Sequence, residues 1–117
     1  MDYSNQQDKA IVLKSGKQLR QFYVGQIMYV STSAYVSSVH LINTHKVESF
    51  SVLLKNIEML LAPYGFIRIN RNELINMKYF KELYEKNKHI AVMQNDQEFV
   101  VSCRRVAAIR QFLQRNI

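Results

Sequence analysis

Short apolar runs, each cut off by turn-forming residues, most narrowly limit what this chain can fold into. Ile11-Val12-Leu13 stops at Ser15-Gly16, and Leu19 to Val24 follows, so residues 10–24 read as a hairpin. Ile27-Met28-Tyr29-Val30 is nearly continuous in apolar character, which predicts a strand buried on both faces. Ser31-Thr32-Ser33-Ala34 reads as a polar loop, Tyr35 to Ile42 as a strand, Asn43-Thr44-His45 as a turn and Lys46 to Phe50 as a short returning strand. Phe66-Ile67-Arg68-Ile69 alternates as a half-buried strand should, and the polar Asn70-Arg71-Asn72-Glu73 leads into Leu74 to Met77. Tyr79 to Tyr84 and His89 to Met93 read as strands joined by Glu85-Lys86-Asn87-Lys88, and Asn95-Asp96 turns into Phe99-Val100-Val101.

A helical period appears in two places only. Leu53, Leu54, Ile57, Leu60 and Leu61 share one helical face, with Ser51 as the expected N-cap and Pro63 and Gly65 ending the helix. Val106, Ile109, Phe112 and Leu113 form a second such face, opposite Arg104 and Arg115. About nine or ten short strands and two helices point to a mainly β, antiparallel sandwich or barrel-like domain. The nine polar N-terminal residues, 1–9, read as a flexible tail, and 10–117 as a single domain. A scaffold of this kind has no long helix to lay in a groove. If it binds nucleic acid, it does so from loops or strand ends.

Charge supplies the first hint of a partner. The chain carries 16 Lys and Arg against 9 Asp and Glu, a net +7, which suits a polyanion: nucleic acid first, an anionic membrane surface second. The excess is uneven, +2 over residues 1–59 and +5 over residues 60–117. One cysteine, Cys103, and three scattered histidines offer neither a disulfide nor a metal-ligand cluster, so no metal or other cofactor is expected and a reducing, cytoplasmic setting is. No apolar leader opens the sequence, and no apolar run approaches the ~20 residues of a membrane span. With only three glycines there is no glycine-rich phosphate loop. Glu82, Glu85 and His40 form no acid–base or nucleophile pair, so no enzyme is expected.

Three polar clusters stand out instead. Asn70-Arg71-Asn72, bracketed by Arg68, gathers amides and a guanidinium, the groups that read adenine and guanine edges and also bond phosphates. Ser102, Arg104 and Arg105 form a second cluster near a helix start, where cations oppose the helix dipole and a phosphate would relieve the conflict. Ser31 to Ser38 supplies hydroxyls from Ser33, Tyr35 and Ser37 among others. Tyr79 and Tyr84 are candidates for a single-strand stacking platform.

The stretch Phe66-Ile67-Arg68-Ile69-Asn70-Arg71-Asn72-Glu73-Leu74-Ile75-Asn76 resembles the signature of the LytTR DNA-binding family, Phe-x-Arg-(Ile/Val)-His-(Arg/Lys)-Ser-(Tyr/Phe)-(Leu/Ile)-Val-Asn. Upstream, Ile27 to Val30 and Tyr35 are similar to family strands, and Leu54, Ile57 and Leu61 to the helix before the signature. Downstream, Val101 to Arg105 is similar to the family's Val-Ser-Arg-Arg ending. The likeness runs over roughly residues 10 to 115. Departures fall at Asn70, Asn72, Glu73 and Ser31, where the family has His, Ser, an aromatic and an acid; they bear on base preference more than on fold.

The resemblance implies an elongated stack of small antiparallel β-sheets with about ten short strands and two short helices. It implies a stand-alone bacterial transcriptional regulator that inserts loops into successive major grooves of double-stranded DNA at promoter repeats, with a homodimer on DNA as a further expectation. Carried onto this chain, the DNA-binding residues are Ser33, Tyr35, Ser37, Asn70, Arg71, Asn72, Lys78, Ser102, Arg104 and Arg105. In many relatives this module follows a receiver or a membrane segment; here it fills the chain, so regulation is expected to come from abundance, a ligand or another chain. The competing expectation is an interaction module that binds no DNA and sequesters a related regulator.

Overall fold

The computed structural model describes residues 9–115, and within them ten strands form three antiparallel sheets. Strands β1 (Ala10–Ser15) and β2 (Gln18–Tyr23) make a two-stranded ribbon. Strands β3 (Ile27–Ser33), β4 (Val36–Leu41), β5 (Val47–Phe50), β6 (Phe66–Asn70) and β7 (Glu73–Asn76) make the central sheet, in the order β5-β4-β3-β7-β6. Strands β8 (Phe80–Glu85), β9 (His89–Met93) and β10 (Glu98–Val101) form the third, in the order β10-β9-β8. Helix α1 (Leu54–Leu61) joins β5 to β6, and helix α2 (Val106–Arg115) follows β10. The whole measures 43 × 37 × 25 Å.

The central sheet is the middle layer of a stack, because two cores form on its opposite faces. Ile27, Val30 and Leu74 pack with Ile11, Leu13 and Phe22 of the ribbon and with Leu54, Ile57 and Leu61 of α1. Ile69 and Ile75 pack with Ala91, Met93 and Phe99 of the third sheet and with Val106 and Ile109 of α2. Met28 and Tyr29 lean on that second core, so β3 is covered on both sides, as its unbroken apolar run requires. A bulge between Ile27 and Tyr29 re-phases β3, which lets Ile27 and Val30 serve one face although three positions apart. The ribbon is fastened to the central sheet by a two-pronged pair, Arg20 Nε to Glu48 Oε1 at 2.8 Å and the second nitrogen to Oε2 at 2.7 Å.

Local expectations fail where tertiary contacts overrule local pattern. Ser31 to Ser33 are strand, not loop: β3 keeps pairing with β4 through Ser33↔Val36, and Ala34 turns the chain at φ 55°. Ser51 does not cap α1; the N-cap is Leu53, without a side-chain bond, and the Ser51 N–H donates to Ser15 Oγ at 3.1 Å. Leu53 and Leu60 lie exposed, since an eight-residue helix docks along the single line Leu54, Ile57, Leu61. Leu113 of α2 is likewise at the surface. The helical turn after α1 ends at Gly65, whose φ of 84° admits glycine readily and side chains only with strain. The expected tail falls outside the described residues except for Lys9, whose carbonyl accepts from Val24 N–H at 2.8 Å.

Candidate nucleic-acid interface

Strand direction decides which loops meet. Strand β3 runs toward one end of the central sheet and turns at Ala34-Tyr35. Strand β7 starts at that same end, because Ser31 pairs with Glu73, so the Arg71-Asn72 turn between β6 and β7 lies beside the β3–β4 tip. Thr32 N–H donates to Asn72 O at 2.8 Å and fixes the two together. Strand β10 ends there as well: Asn70 Nδ2 donates to Val100 O at 2.7 Å, and Ser102 N–H to Ile69 O at 2.9 Å. Three segments separated by 30 to 70 positions in sequence thus form one continuous row along one edge of the stack.

The β6–β7 turn is braced from inside. Asn70 Oδ1 accepts from Asn72 N–H at 2.8 Å, an Asx turn that sets the backbone around Arg71. The Asn70 amide nitrogen is spent on Glu73 Oε1 at 2.8 Å and on Val100 O. Arg68 reaches over the turn, donating to Arg71 O at 2.6 Å and Asn70 O at 3.3 Å, and pairs with Glu58 of α1 at 3.4 Å. Arg71 and Asn72 are what this bracing presents: both are exposed, and the Arg71 guanidinium has no hydrogen-bond or ion-pair partner among the described residues. Glu73, the residue least suited to a polyanion, faces Asn70 rather than Lys78 or Arg68.

The other two segments are simpler. At the β3–β4 tip Ser33 is exposed and Tyr35 is 78% exposed, while Thr32 Oγ1 closes the tip on Val36 O at 3.0 Å. After β10, Ser102 is half-buried and its carbonyl accepts from Arg105 N–H at 2.8 Å within a short 3-10 turn, Cys103–Arg105, that runs into α2. Arg104 is exposed and Arg105 half-buried, and neither side chain is paired among the described residues.

Three expected contacts are placed otherwise. Ser37 is fully buried and its hydroxyl donates to Val52 O at 2.5 Å, so it fastens β4 to the chain after β5 and cannot touch a partner. Asn70 shapes the turn and has no amide group left to read a base. Lys78 follows the far end of β7, about 10 Å or more along the strand from the row. It lines a groove of about 630 Å³ with Phe66, Phe112 and Arg115 instead, and its ammonium sits 5.4 Å from the Tyr79 ring centre. The stacking platform also dissolves: Tyr79 gives its hydroxyl to Gly25 O, and burial pushes its phenol pKa up, while Tyr84 bonds Glu98 at 3.2 Å. Arg68 is the residue that sequence reading undervalued. Its signal was its place two before Asn70 on an otherwise apolar strand, where a cation needs internal partners.

Among the described residues no group of His, Cys, Asp and Glu could hold a metal, and no helix is long and apolar enough to cross a membrane. The molecule is a three-layer β stack that presents arginines and amides from strand ends along one edge. Residues 17–114 match the LytTr DNA-binding domain family, and the chain belongs to that family. Its fold is similar to that of a solved LytTr DNA-binding domain from Bacillus cereus, named for a methyl-accepting/DNA response regulator, at a TM-score of 0.70 and 21% identity over 89% of this chain and 95% of that one. No curated relative matches the sequence.

Proposed function

We propose that this chain is a sequence-specific, double-stranded DNA-binding transcriptional regulator of the cytoplasm, without enzymatic activity. It inserts the β3–β4 tip, the Arg71-Asn72 turn and the Ser102–Arg105 segment into successive major grooves at repeated promoter sites, with a homodimer as the assembly on DNA. One observation carries the reading: Arg71 and Arg104, both unpaired among the described residues and exposed, stand on braced backbone in a single row. A guanidinium held so can take the O6 and N7 of a guanine together. Asn72, Ser102, Arg105, Ser33 and Tyr35 bond phosphates or neighbouring bases around them. Ser37 and Asn70 act only by holding the loops.

The test uses duplexes selected from a random pool by the wild-type protein, against shuffled duplexes. Arg71→Ala and Arg104→Ala should each weaken binding to selected duplex by about 5–150-fold, the worth of one bidentate contact of about 1–3 kcal/mol, and barely change binding to shuffled duplex. Equal losses on both would reduce these arginines to phosphate contacts. Absence of salt-dependent duplex binding at about 100 mM salt would favour the interaction module instead.

A further inference from the structure

We infer that the β8–β9 turn, Lys86-Asn87-Lys88, is a fourth DNA-contacting segment that clamps phosphates at one end of the row. This rests on the DNA reading above and extends it. Register places the turn. Val101, the last residue of β10, pairs with His89, the first of β9, and His89 pairs with Glu85, the last of β8. The residues between Glu85 and His89 therefore project past the same edge from which Ser102–Arg105 departs. His89 and Cys103 line one shallow surface pocket, so the start of β9, where the chain leaves the turn, adjoins the Ser102–Arg105 segment.

The turn is built to present cations. Lys86 N–H donates to Lys88 O at 3.0 Å, which closes the turn tightly. Lys86, Asn87 and Lys88 are all exposed, and neither ammonium has an ion-pair partner among the described residues. The acid at the turn, Glu85, lies 3.7 Å from His89 Nε2 and forms no ion pair with either lysine. Lysines bind phosphate as point charges and carry no base information, so this segment adds affinity and register rather than specificity. The sequence alone shows two lysines in a polar turn; only the pairing of β9 with β10 brings them beside Arg104 and Arg105.

Binding of the full chain to a pool-selected duplex is measured from 50 to 200 mM salt for wild type, for Lys86→Gln/Lys88→Gln, and for Lys46→Gln in the β4–β5 turn at the opposite end of the sheet. Loss of two phosphate contacts should lower the slope of log K against log salt by about 1.8, so that the affinity ratio between 50 and 200 mM shrinks about 12-fold. Lys46→Gln should leave the slope unchanged. The order of preference among selected duplexes should be the same in all three proteins, and hydroxyl-radical protection should shorten at one end only in the double variant. A double variant with the wild-type slope and footprint overturns the inference and leaves the DNA reading standing. A slope loss as large in Lys46→Gln also overturns it, since general charge would then be the cause. A wild type that binds no duplex overturns both.

Discussion

Arg68→Lys separates holding a contact from making one. Arg68 spans the β6–β7 turn with bonds to Arg71 O and Asn70 O and an ion pair to Glu58. A lysine keeps the charge but loses the fork that serves two carbonyls and a carboxylate together. The freed turn carbonyls sit near solvent and rehydrate, so the stability cost is that of one or two partly exposed hydrogen bonds, about 1–2 kcal/mol. The effect on binding should be of the same order. Arg71 would be presented from a looser turn, and up to one bidentate contact, about 1–3 kcal/mol, would be lost on selected duplex. The assay is fluorescence anisotropy on selected and shuffled duplexes over a salt series, with urea denaturation alongside. The expected pattern is a loss of about 5–150-fold on selected duplex, little change on shuffled duplex and an unchanged salt slope. A slope reduced by about one unit would show that the Arg68 side chain touches phosphate itself and would refute the bracing argument.

Two further outcomes follow from groups inside the stack. Ser37→Ala removes the donor to Val52 O and should cost about 1–2 kcal/mol in urea denaturation while leaving the salt slope of DNA binding untouched; an altered slope with full stability would restore Ser37 as a contact. His40 stacks on Tyr29 at 4.0 Å between ring centres, with its Nε2 3.0 Å from Ser31 Oγ, and burial pushes its pKa below the ordinary histidine value. The unfolded chain then binds the proton more readily than the fold. This contribution is complete above about pH 6.5 and is lost as pH falls through the depressed folded value. Denaturation at pH 7.5, 6.5 and 5.5 should show wild type losing more stability than His40→Gln across that window; parallel curves would disprove the assignment.

Much of the fold was legible because the strands alternate or run unbroken according to which faces they bury. Ile27 to Val30 announced the doubly covered central strand, and the hairpin over residues 10–24 stands as β1 and β2. What sequence could not show was the competition between local and distant partners. Ser51 looks like a cap, but its own N–H is taken up by Ser15 thirty-six positions away. Ser31 and Ser33 look like loop residues, yet β4 and β7 pair with β3 almost to its tip. In the interface the division is similar. Residue type picks out the three clusters, but burial and bonding sort presenters from holders. Ser37 and Asn70 have the chemistry of contacts and spend it internally. Lys78 lies close to the signature in sequence and at the opposite end of β7 from the Arg71-Asn72 turn in space. Topology alone makes neighbours of residues 33, 71 and 104.

Selection of duplexes from a random pool by wild type, Arg71→Ala and Arg104→Ala in parallel tests base reading by these arginines most directly. Wild type should enrich a repeated motif. Each variant should enrich the same repeat with preference relaxed at one base position, different for the two arginines. No enrichment by the wild-type protein, or the same fully specified motif from all three, would contradict base reading by these arginines.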